Sequence, residues 1–124
     1  HVDFIVNGGT DLVRVGVYED GGITGAMKVA HAAEGFGLDV EFHGGGLPHR
    51  HCIAAVRNTN YYELGLLNPK VSGTKPPIYP PEFTDELEGV DSIGHVVVPD
   101  GPGLGVEIDW DYINAHHVET VAYE

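Results

Sequence analysis

Hydrophobic positions in the first half of this chain follow two alternating rhythms. Between Gly21 and Gly37, the apolar residues Ile23, Ala26, Met27, Ala30 and Ala33 recur at intervals of three and four, while Thr24, Lys28, His31 and Gly35 fall on the opposite stripe. That spacing predicts an amphipathic helix. Gly37 is placed to stop it in a left-handed conformation. Val40 to His43 then suits a short strand, and the glycines that follow at once set His43 at its carboxyl end. Asp11 to Val17, DLVRVGV, is β-branched and apolar enough for a buried strand. Ahead of it, His1 to Gly9 reads as the end of a helix, stopped by Gly8 and Gly9. HRHCIAAV predicts a second short helix from His49 or Arg50 to Val56, ending around Asn58. YYELGL, Tyr61 to Leu66, predicts a third strand, which carries Glu63.

Strand, helix, strand, helix, strand with short connections is the order that leads to parallel pairing and an α/β fold. In parallel sheets and barrels, sites are built where strands end and loops begin, which is where His43 falls. From Asn68 the character changes. Pro69, Pro76, Pro77, Pro80 and Pro81 leave little room for regular structure, and Val96 to Val98 and Val106 to Ile108 are short strand candidates flanking the turn-rich PDGPGLG.

Side-chain alternation adds a constraint. If His43 faces the axis of a barrel, Glu41 does too, with Gly16, Arg14 and Leu12 on the preceding strand and Glu63 and Tyr61 on the following one. A lone buried charge is costly, so Arg14 and Glu41 are predicted to form an ion pair.

The chain has 124 residues, with Lys plus Arg at 6 against 19 Asp plus Glu, a formal charge of −13. One domain of a soluble protein is expected, with neither nucleic acid nor an anionic membrane as partner. The single Cys52 cannot form an internal disulfide, and a reducing cytoplasm is the expected compartment. The start, HVDFIVNGGTD, lacks the basic and long apolar regions of a signal peptide, so no export is expected. His43, His49, His51 and Cys52 invite a metal reading, but on a helix His49 and His51 do not share a face. No metal site is expected within this chain.

The stretches GGITGAMKVAHAAEGFGLDVEFHGGG, HCIAAVRNTNYYE and VPDGPGLGVEIDWD, in this order and spacing, resemble the carboxyl-terminal part of the mandelate racemase and muconate lactonizing enzymes of the enolase superfamily. The resemblance covers nearly the whole chain. It implies the C-terminal part of a (β/α) TIM-type barrel, about three parallel strands with intervening helices. Residues 1–66 would supply strands six to eight, and residues 67–124 a Pro/Gly-rich tail packing on the barrel and a capping domain. It also implies removal of a proton next to a carboxylate, by a Lys or His base with Mg²⁺, in an acid-sugar dehydratase, racemase or cycloisomerase.

On this resemblance His43 matches the general acid or base ending the seventh strand, and Glu63 the glutamate ending the eighth, which binds the substrate carboxylate or intermediate. The aspartate that would orient the histidine falls on Gly16. Glu41, Asp20 or Glu19 is left to substitute, unless His43 serves mainly as an acid. The family's lysine base and Mg²⁺ ligands belong to upstream strands. A closed barrel needs roughly 250 residues, so this chain is expected to be inactive alone. The expected partner is the N-terminal part of the same enzyme, or another copy of this chain. The substrate implied is a small carboxylate such as an acid sugar. A catalytically inert partial barrel with a structural or assembly role is the alternative.

Overall fold

The structure, a computed structural model, describes residues 1–65 and 78–122. It opens with a short helix, α1 (Val2–Val6), followed by β1 (Leu12–Val15), α2 (Gly22–Gly35), β2 (Asp39–Phe42) and α3 (Leu47–Ala55). β1 and β2 pair in parallel, with Val13 beside Val40 and Arg14 beside Glu41. α2 makes the crossover and lays its small face, Ala26, Ala30 and Ala33, on the sheet. Val13, Val15, Val40 and Phe42 meet that face, and Ile5, Val17 and Cys52 complete the core. Alanines suit this position because they let the helix approach the sheet closely without losing side-chain entropy.

The predicted end of α2 is present. Gly37 takes φ +73°, its N–H reaches Glu34 C=O at 2.9 Å, and Leu38 N–H returns to Ala33 C=O at 3.0 Å. The two bonds satisfy carbonyls that the last turn would otherwise leave open. α3 begins two residues before the expected His49, because Pro48 fits a helix's first turn, where its missing N–H costs nothing.

The expected third strand does not form among the described residues 61–65, which follow no ladder. Val40 N–H does take the Asn58 carbonyl at 2.7 Å. Beyond that bond the segment is held by side chains: Tyr62 and Glu63 bind the glycine loop after β2. The described sheet is therefore two-stranded. Leu66 and the residues through Pro77, with the boundary expected between residues 66 and 67, lie outside the described residues.

The later strand candidates are corrected as well. Val96 makes a single antiparallel bridge to Val90, and neither Val96–Val98 nor Val106–Ile108 is a strand. Asp91 explains the first case: its carboxylate accepts N–H bonds from Ile93 and His95, tying the chain into a turn one residue from the bridge. Two 3-10 turns, Pro81–Phe83 and Leu87–Gly89, and a short helix, α4 (Trp110–Ala115), are the regular elements among the described residues of this half.

Arg50 of α3 joins the two halves. Its side chain is fully buried, and it donates to Val97 C=O at 2.9 Å, to Thr84 C=O at 2.7 Å and to Asp85 Oδ1 at 3.0 Å. Its guanidinium lies over the Tyr62 ring, 5.1 Å from the centroid. His51 bonds the Leu104 carbonyl at 3.1 Å.

Candidate active site

Alternation along the two strands sorts the side chains. Val13, Val15, Val40 and Phe42 turn into the core, which leaves Leu12, Arg14 and Glu41 on the opposite face. His43 follows β2 directly, and its N–H still bonds Val15 C=O at 2.7 Å, so it stands at the carboxyl end of the sheet. The chain then turns through Gly44, and the segment carrying Glu63 returns to meet it.

Arg14, His43 and Glu63 converge there. Glu63 Oε2 accepts from Gly44 N–H at 2.6 Å and lies 2.9 Å from His43 Nδ1. Arg14 Nη2 reaches Glu63 Oε1 at 3.0 Å and Oε2 at 3.1 Å, and stands 2.6 Å from the same Nδ1. The Gly44 N–H, more than any other neighbour, holds the Glu63 carboxyl below its ordinary range; partial burial opposes it, and His43 and Arg14 add to the lowering. The cluster is open to solvent, with 53% of the His43 side chain exposed, so an incoming molecule can reach it.

Tyr62, the residue before Glu63, points the other way. Its hydroxyl accepts from Gly46 N–H at 2.6 Å and donates to Asp85 Oδ1. Burial, then the Asp85 bond, pushes its pKa up to about 12. Consecutive residues thus clamp the glycine loop from two sides.

The carboxylates expected to orient His43 are engaged elsewhere. Asp20 accepts from Gly16 N–H at 2.8 Å and contacts His1 Nε2 at 2.8 Å. Glu41 takes a 3.3 Å bond from Asn60. The expected Arg14–Glu41 ion pair is replaced by Arg14–Glu63: strand register sets the first two side by side, but Glu63 offers both its oxygens to Arg14. At Gly16, a Cβ would stand 1.9 Å from Glu19 Oε2. The Glu19 carboxylate thus fills the space a side chain at position 16 would need.

His49 is buried, accepts from Val17 N–H at 3.1 Å and packs on Tyr18. With His51 bound to Leu104, the two histidines of the HxH segment serve different contacts. Among the described residues no group of three or more His, Cys, Asp or Glu side chains is placed to hold a metal ion. Glu63, the carboxylate nearest His43, is already paired with the Arg14 guanidinium, whose positive charge disfavours a Mg²⁺ ion beside it.

Sequence reasoning put Arg14 on the His43 face but paired it with Glu41, missing its contacts with His43 and Glu63, and it missed Arg50 as a buried cation. Strand parity carried the shared face, but not which carboxylate would reach Arg14. Arg50 carried a weaker signal, lying one helical turn beyond the apolar Leu47.

Residues 1–112 match the family described as enolase C-terminal domain-like. The crystal structure of a D-glucarate dehydratase from Agrobacterium tumefaciens, complexed with magnesium, matches this chain with a TM-score of 0.75 and 37% sequence identity. The match covers 95% of this chain and 30% of that one, so the chain spans less than a third of that enzyme's length.

Proposed function

Because this chain belongs to the enolase C-terminal domain-like family, we propose that it supplies the histidine side of an acid-sugar dehydratase site, one that abstracts a proton alpha to a carboxylate. The convergence of Arg14, His43 and Glu63 at the carboxyl end of the sheet carries this reading, and the likeness to a D-glucarate dehydratase favours dehydration over racemization or cycloisomerization. In such a reaction the C–H bond next to the carboxylate breaks, the neighbouring C–O bond breaks with loss of water, and the resulting enol becomes a keto acid. His43 is the group that exchanges a proton or hydrogen bond with the departing oxygen, and Glu63 holds Arg14 and the glycine loop in place.

The family's Mg²⁺ would stabilise negative charge on the substrate carboxylate; its ligands, with the lysine base and capping domain, come from polypeptide beyond this sequence. No helix among the described residues is long and apolar enough to cross a membrane. The buried, unpaired Cys52 suits a reducing cytoplasm.

Assay of acid sugars with Mg²⁺, on the chain together with the segment that completes the barrel, tests this. His43→Asn is expected to lower turnover by about 10²–10⁴-fold, the usual worth of a positioned acid–base group. Unchanged turnover in that variant overturns the assignment. One observation favours the alternative of an inert assembly partner: Gly16, buried beneath Glu19, stands where the family's orienting aspartate is expected. A complemented barrel that assembles but turns over no acid sugar would support it.

A further inference from the structure

The groups around His43 Nδ1 make incompatible demands on it. Arg14 Nη2 is 2.6 Å away and Glu63 Oε2 2.9 Å away. A guanidinium only donates hydrogen bonds, and an ionised carboxylate only accepts them. Nδ1 therefore serves one of the two: with a lone pair it accepts from Arg14, with a hydrogen it donates to Glu63. Glu63 does not need it. Oε2 already accepts from Gly44 N–H at 2.6 Å and Arg14 at 3.1 Å, and Oε1 from Arg14 at 3.0 Å. The Arg14 contact is also the shorter, and a ring N–H facing a guanidinium N–H across that distance would be repulsive.

We infer that Arg14 donates to Nδ1 and so fixes His43 in the tautomer that carries its hydrogen on Nε2. Arg14 is thereby a positioning residue for His43, a role opposite to that of a carboxylate partner. A carboxylate accepts from Nδ1–H and leaves Nε2 as a lone pair ready to take a proton. Arg14 leaves Nε2 as a donor and caps the ring's one basic nitrogen. In the resting site His43 offers a hydrogen bond to an oxygen gaining negative charge. It takes up a proton only when Nδ1 exchanges Arg14 for Glu63. The donor role toward substrate rests on the function proposed above, whereas the tautomer does not.

The test is ¹⁵N NMR of the chain labelled at its 8 histidines, with His43 assigned by loss of its signals in His43→Gln, recorded where the ring is neutral. The expected spectrum shows His43 Nε2 bonded to hydrogen and Nδ1 shifted downfield as a bare acceptor. Glu63→Gln is expected to keep that pattern and Arg14→Met to reverse it. An Nδ1–H signal in the unsubstituted chain overturns the inference. No substrate is involved, so failure of the dehydratase assay leaves this result standing, and the converse holds.

Discussion

Glu63 is the residue on which the cluster closes, and its ionisation is tied to folding. Donors hold its carboxyl below its ordinary value of 4.5, so the folded chain keeps it charged where the unfolded chain has begun to protonate. Its contribution is complete above that value and is lost as pH falls through the lower folded-state one. With 39% of its side chain exposed, solvent screening limits the effect to about 1 kcal/mol or less. Urea melts of Glu63→Gln are expected to fall below the unsubstituted chain at neutral pH and to approach it on acidification. A gap that widens toward acid would contradict this. At this scale the sequence was informative about faces and not about partners. Parity placed Arg14, Glu41 and His43 together, but the choice between Glu41 and Glu63 depended on a loop returning from twenty residues downstream.

Among the elements, those with a local cause were legible. The period of α2 and its stop at Gly37 depend on residues within a few positions, and both form as the spacing predicts. The third strand, among the described residues, and Val96–Val98 depended on backbone neighbours that side-chain bonds displaced, from Tyr62 and Glu63 in the first case and Asp91 in the second. α3 was legible as a helix, yet its main contact was not, because a buried arginine looks in sequence like a surface one. Arg50→Ala leaves Asp85 without its cation in a nearly dry site, and removing one partner of such a pair costs about 3–5 kcal/mol. The expected readout is a lower unfolding midpoint together with faster proteolysis between Thr84 and Val97. A midpoint shift without added cleavage there would mean that Arg50 does not hold the tail.

At the scale of the whole molecule, the two-stranded sheet leaves β1 with an open edge among the described residues, and beside it Phe4, Leu12 and Arg14 line a cavity of about 280 Å³. Val2, Phe4 and Val6 are each half or more exposed, at 50%, 60% and 63%. An unpaired edge beside apolar side chains recruits another strand. The isolated chain is expected to self-associate, with a sedimentation coefficient that rises with concentration, and to become a defined complex when the completing segment is added. A cooperative monomer at every concentration would refute this. The family was legible from sequence because its motifs span nearly the whole chain.

The Arg50 contacts also impose an order on synthesis. Arg14, His43 and Glu63 are all synthesised before Thr84, Asp85 and Val97, the partners of the Arg50 guanidinium, which lie up to 47 residues beyond it. Until then α3 carries a cation that cannot be buried without partners. Domains begin to fold from the amino terminus as they emerge, so Arg50 stays hydrated, and α3 incompletely docked, until these residues follow. Docking of Arg50 is thus set by the tail, after Arg14, His43 and Glu63 are already in the chain.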